Sequence, residues 1–322
     1  MNHKLNKYVN YLLENNPSPF CDYIISKELL KEDERTIRDA YEWAKQFKLY
    51  KELADEQLPD GSWGGFDTAH TELVKAGRKK YKATAREIFR LLDLSLDGIN
   101  DPMVNRVIDV MKKYLTGELP DPEFYGRNNT LKPIGIRRQI IQNLGYFEPE
   151  NDFVIELRNS IAERFKKCCE AGYFNRDKWS ELDILGHWSV GDINMLSCRH
   201  AISNDLQRML LTSEWENNGW AIWVKPSDIK SPDDPSFIFW IRSVERLKNF
   251  SLFGEFMADK FTPYLYSICE QIINDKNNQM KIIINNYFYH HGQYSESRNT
   301  VQKKKNDLLL QIIRVLNKCE VE

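Results

Sequence analysis

Cysteine is sparse in this chain: six in 322 residues, at positions 21, 168, 169, 198, 269 and 319, with no metal-ligand spacing among them. That excludes a disulfide scaffold and fits reduced thiols in a cytosolic protein. Long hydrophobic runs are missing; stretches such as Phe237 to Ile241 are far too short to span a bilayer. The first seven residues, Met1 to Lys7, are polar and lack a secretory apolar region, so the expected location is cytoplasmic. Neither charge sign is in excess: the formal net charge is -2 and the pI about 6.4. That balance gives no general attraction to nucleic acid or to an anionic membrane. Alternating strand patterns are also absent.

What is present is helical periodicity and aromatic mass. Hydrophobic residues make up 42% and charged residues 29%, enough for a sizeable core. Eight Trp, 15 Tyr and 16 Phe suit a thick core or an apolar cavity. Leu5, Tyr8, Val9, Leu12 and Leu13 predict a helix over 4–15. Ser26 is placed to cap a long helix through Leu29, Ile37, Tyr41, Phe47 and Leu53. Further helices are expected at 68–77, at 83–96, and from an Asp101 cap with Pro102 at the first position to Thr116. Others follow at 134–144, 153–171, 193–212, 235–248, 250–274 and 299–318. Lys303, Lys304 and Lys305 read as a solvated face and His290-His291 as a polar connector. Irregular loops at 117–132 and 217–234 are candidates for a lid or joint. The expectation is an all-α protein of one domain over 1–322.

One stretch organises this pattern: Gln57-Leu58-Pro59-Asp60-Gly61-Ser62-Trp63-Gly64-Gly65-Phe66-Asp67. Pro59-Asp60-Gly61 is a tight turn, and Trp63 offers an apolar plate with one N–H to satisfy. Asp67 is placed to cap a following helix. Gln57-x-x-Asp60-Gly61-Ser62-Trp63 resembles the Gln-Trp (QW) motif of squalene cyclase and other terpenoid cyclases, whose α/α toroid superfamily includes the protein prenyltransferases. The resemblance implies an α/α toroid, a barrel of stacked helical hairpins. It also implies that Gln57, Asp60, Gly61 and Trp63 form a structural fastener between outer and inner helices.

The pattern has echoes. Gly186-His187-Trp188 with Asp192 repeats the spacing of Gly61-Ser62-Trp63 with Asp67, and Asn218-Gly219-Trp220 with Asp234-Pro235 is a looser third copy. In a toroid, Asp67, Asp192 and Asp234 would begin inner helices at one mouth, where they could polarise a proton, bind a cation or simply cap. His187 and His70 are candidate acids or bases at the same mouth. Trp188, Trp220, Trp223 and Trp240 are candidate ligand-binding rings, although Phe237, Trp240, Ile241 and Val244 recur at the helical spacing of a core.

The family's chemistry does not carry over. Ser231-Pro232-Asp233-Asp234 lacks the first acid of the cyclase Asp-x-Asp-Asp, and Asp233 to Phe237 lacks the last acid of Asp-Asp-x-x-Asp. No Asp-x-Cys or Cys-His element of the zinc-binding toroids occurs. Cys198 and His200, two apart on a helix, point to different faces. The expected ligand is therefore a neutral, apolar, isoprenoid-like molecule in a central cavity, with no metal or other cofactor. The alternative is a non-catalytic toroid that presents its rim to a protein partner or carries a ligand. Elemental analysis of the purified protein should find no stoichiometric zinc; one tightly held zinc per chain would return attention to Cys198, His200 and His187.

Overall fold

The computed structural model describes residues 3–15, 17–66, 83–97, 100–119, 133–183, 188–198, 201–216, 224–284 and 291–320. Among these the protein is all-α, with fifteen α-helices, one π-helical turn and no strand. The helices are α1 (His3–Glu14), α2 (Pro19–Ile24), α3 (Glu34–Ala44), α4 (Lys48–Glu56) and α5 (Thr84–Asp93). Then come α6 (Pro102–Thr116), α7 (Pro133–Leu144), α8 (Asp152–Cys168), α9 (Arg176–Leu182) and α10 (Val190–Leu196). The last five are α11 (Asn204–Trp215), α12 (Phe237–Glu245), α13 (Phe253–Met257), α14 (Thr262–Asn274) and α15 (Val301–Glu320). None of them is long and apolar enough to cross a membrane. The helix expected at 68–77 lies outside the described residues.

Local chemistry sets most boundaries. Asp101 accepts from the N–H groups of Met103 and Val104, Pro102 follows it, and Gly117 closes α6 in the left-handed conformation. Three expected boundaries move. The long helix expected from Ser26 is instead the π-helical turn Ile25–Leu30, α3 and α4, because Ser18 caps the helix that the turn continues and Asp33 caps a new one. Ser26 lies inside the π-helical turn Ile25–Leu30 that continues α2. The segment 193–212 divides into α10 and α11, since Ser203 caps a new helix. The segment 250–274 divides into α13 and α14, with Pro263 in the first turn of α14.

Helix α15 is buried on every side, the mark of a helix enclosed by others. It packs against α1, α13, α14 and the π-helical turn, so the last helix meets an early segment of the chain. Lys305, read from sequence as solvated, is 1% exposed. Its Nζ donates to the Asp275 carbonyl at 2.7 Å and to Asn278 Oδ1 at 3.0 Å.

The 57–66 stretch fastens three helices. Gln57 donates to the carbonyls of Gly61 at 2.8 Å and of Met103, on the first turn of α6, at 2.9 Å. Arg106 of α6 donates back to Gln57 Oε1 at 2.8 Å. Asp60 Oδ1 accepts from the N–H and hydroxyl of Ser62. Gly61 sits at φ 94°, and a Cβ there would come within 2.5 Å of the Arg106 carbonyl. Trp63 Nε1 donates to the Leu53 carbonyl of α4 at 2.9 Å, and its backbone N–H reaches Thr84 Oγ1 of α5 at 3.1 Å. Trp63 is 3% exposed. Trp63→Ala should therefore destabilise the fold by about 3–5 kcal/mol, read as a lower denaturation midpoint. An unchanged midpoint would remove the fastening role.

Candidate functional site

Six segments spread along the chain converge on a cavity of about 620 Å³. They are the π-helical turn with Lys31, the end of α5 to Asp97, the turn after α7, α10 to Cys198, the end of α12 to Asn249, and the end of α15. His291 joins them from the segment before α15. In each case the residues at the cavity include the helix's last turn or the residues just beyond it. Apart from Val190 at the start of the seven-residue α10, the helix ends that meet here are therefore C-terminal, where unsatisfied carbonyls carry partial negative charge and attract cations.

The lining answers that field. Lys27 and Lys31, Arg242 and Arg246, and Arg314 and Lys318 are basic pairs four apart on three different segments, and Lys248 makes a seventh cation. Four acidic residues line the same space: Glu28, Asp93, Asp97 and Glu245. Lys27 donates to the carbonyls of Ser95 and Asp97 at 2.6 and 2.7 Å. Arg314 holds Glu28 through two bonds of 2.8 and 2.7 Å, and also donates to the Asp93 carbonyl at 2.9 Å and Tyr294 Oη at 3.0 Å. His291 lies between two carboxylates, with Nδ1 3.0 Å from Asp93 Oδ2 and Nε2 3.1 Å from Glu245 Oε2. Gln311 donates to Glu245 as well, at 3.1 Å.

These partners decide the charge states. Burial opposes ionisation of Glu28, but Arg314 outweighs it and holds the carboxyl at about 2. Burial also opposes ionisation of Asp93 and Glu245, and contact with His291 keeps both below the usual carboxylate range. Burial and the neighbouring Arg242 guanidinium pull Arg246 down to about 9. Burial, then Arg314, pulls the Lys248 ammonium down. Lys31, Lys248 and Lys318 have no carboxylate within salt-bridge distance among the described residues.

Backbone irregularity gathers at the same place. Of three non-glycine residues at positive φ among the described residues, Lys31 and Ser95 line the cavity. The π-helical turn lines it too. Such costly conformations cluster at functional sites. No protein-family model, curated protein or solved structure matches the chain. The functional reading therefore rests on this geometry.

Apart from Cys198, which lines the cavity, the residues singled out from sequence lie elsewhere or outside the described residues. Asp67, His70, His187, Trp220 and Trp223 are outside them, as is His200. Asp192 is fully buried on the first turn of α10. Ser189, not Asp192, is the N-cap there; Asp192 completes a capping box and pairs with Arg138. Asp234 precedes α12, whose N-cap is Ser236, and it accepts from the Ser236 N–H at 2.7 Å and hydroxyl at 2.6 Å. Neither acid lines the cavity.

Trp188 is buried among Phe165, Phe174 and Trp179 and donates to Glu214 at 3.1 Å. Trp240 is fully buried against Phe237 and Phe261 and donates to the Pro226 carbonyl at 3.0 Å. Both rings serve the core. His291, read from sequence as a connector, is the histidine at the cavity. Among the described residues no three His, Cys, Asp or Glu side chains are grouped to hold a metal.

The seam between Glu28 and Arg314 yields a pH prediction. A carboxyl depressed to about 2 from 4.5 contributes stability that is present above pH 4.5 and lost as pH falls from 4.5 to about 2. Denaturation midpoints measured over that window should fall in the native chain and fall less in Glu28→Gln. At neutral pH, Arg314→Met should cost about 3–5 kcal/mol, because it leaves the Glu28 charge uncompensated.

Proposed function

We propose that the chain is a closed ring of alternating inner and outer helices, an α/α toroid, whose central cavity binds a small anionic ligand. The alternation supports the ring. Helices that reach the cavity (α2 with its π turn, α5, α7, α10, α12, α15) are separated along the chain by helices that do not. Packing of α15 on the π-helical turn brings the two ends of that series together. The fastener at 57–66 is in keeping with the cyclase and prenyltransferase resemblance at the level of architecture.

The charge of the lining carries the ligand reading. Seven cations face four carboxylates. The C-terminal dipoles, each equivalent to about half a charge at most, offset part of that surplus. They do not account for Lys248, half-buried and without a salt bridge among the described residues, while Glu28, Asp93 and Glu245 are each engaged. Phe89, Leu92, Tyr146 and Val190 are the larger apolar side chains in the lining, which favours a polar anion over a neutral isoprenoid. The volume suits a single small molecule. The residues present support binding.

Native mass spectrometry of the purified protein should release a small acidic molecule. Exchange of that molecule should weaken with added salt, and Lys248→Gln should lower its affinity about tenfold, the effect of one charge-assisted hydrogen bond. Release of a neutral lipid would overturn the ligand reading. Retention of a protein in its place would favour the partner-binding alternative.

A further inference from the structure

We propose that the ligand of the cavity is a polyhydroxylated anion, a sugar acid or a sugar phosphate. Its charge would be met by Lys31, Lys248 and Lys318, and its hydroxyls by Asn194, Asp97 and Tyr146. This inference rests on the anionic reading above and adds the second half of the ligand.

The observation behind it is the neutral and acceptor chemistry that a bare anion would leave unused. Asn194 lines the cavity from α10, half-buried, and its side-chain amide has no hydrogen-bond partner among the described residues. An amide presents donors and an acceptor together, which matches a hydroxyl that does the same. Half-buried at the wall, that amide is open to a ligand without first breaking a bond within the protein. Asp97 also lines the cavity without a salt bridge among the described residues, although Lys27 holds its backbone carbonyl. A carboxylate accepts only, so it repels a bare anion and suits the O–H groups of a polyol.

Tyr146 adds a hydroxyl with no hydrogen-bond partner among the described residues, a phenol that is protonated at neutral pH and that burial pushes further up, to about 12. Its ring meets Phe89 edge to face at 5.8 Å, giving the wall one apolar surface for the C–H face of a sugar ring. A cavity of about 620 Å³ also exceeds what a lone phosphate or acetate fills.

Isothermal titration of the full chain separates the possibilities. Glucuronate and glucose 6-phosphate are the test ligands; glucose, hexanoate and inorganic pyrophosphate are the comparators. At least one test ligand should bind about tenfold or more tighter than every comparator, and the tighter of the two identifies the anionic group. Asn194→Ala should weaken that ligand about tenfold and leave hexanoate and pyrophosphate unchanged. Lys248→Gln should weaken all the anions, and Lys248→Arg should restore them in part. Circular dichroism checks that each variant folds. Lys31→Gln with Lys318→Gln, at exposed positions, repeats the charge test away from the core. Hexanoate or pyrophosphate binding as tightly as both test ligands would overturn this inference and leave the anionic reading standing. Glucose binding equally well, or no binding by any of the five, would overturn both.

Discussion

Arg314 is the constraint on which the described architecture turns. It sits near the end of the last helix, 7% exposed, and donates to Glu28 on an early π-helical turn, to the Asp93 carbonyl at the end of α5, and to the Tyr294 hydroxyl. A guanidinium taken out of water this far is tolerated only with its partners in place, because desolvation otherwise outweighs what the charge gains. Three segments far apart in sequence are thereby held in one geometry. The same contacts depress Glu28, so the acid that fixes the seam stays charged through the neutral range. The apolar face of α15 supplies bulk stability, while the Arg314 set specifies where that helix stops relative to the start of the chain.

From that seam the character of the cavity follows. Helices that end together bring their free carbonyls together, and a space walled by partial negative charge would be unfavourable if nothing answered it. Lys27 and Arg314 answer directly, by donating to carbonyls at helix ends. Beyond those two, Lys31, Lys248 and Lys318 line the same space without a salt bridge among the described residues. The left-handed conformations of Lys31 and Ser95 point the same way, since neither residue gains from φ near 52° or 60° unless the surroundings impose it. The wall is built at a cost to backbone and desolvation alike, and that cost falls on the residues that face the interior.

Much of the fold was legible in the sequence, and the reasons divide cleanly. Helix type and order were readable because apolar spacing repeats at the helical period, and Asp101-Pro102 with Gly117 marks α6 in full. Boundaries within long apolar stretches were not, because Ser18, Asp33 and Ser203 compete as caps with neighbours of the same type. The fastener was legible because its Gly61 and Trp63 have few substitutes at a tight turn over a helix. The cavity was hidden: its residues come from segments that share no motif. One signal existed, the basic pairs four apart at Lys27 and Lys31, Arg242 and Arg246, and Arg314 and Lys318. Read singly, each looks like a solvated helix face, and only tertiary packing turns the three toward one space.

The fastener also explains why motif residues mislead a search for chemistry. Thr84 and Ala85, at the start of α5, donate to the Gly65 and Phe66 carbonyls at 3.0 and 3.2 Å, so the motif holds the N-terminal end of that helix. The cavity meets the other end, where Asp93 faces His291. A ten-residue helix is about 15 Å long. The recognisable residues and those that line the cavity are therefore separated by a helix length, joined by rigid backbone. The same holds for Asp234, which precedes α12 while the cavity gathers Arg242 and Glu245 from that helix's far end. An acid at a helix start gains from the dipole and from free N–H groups, which is reason enough for its presence there. In a set of helices that meet by their C-terminal ends, acids placed by that rule fall away from the shared cavity, and cations placed by its mirror image fall beside it.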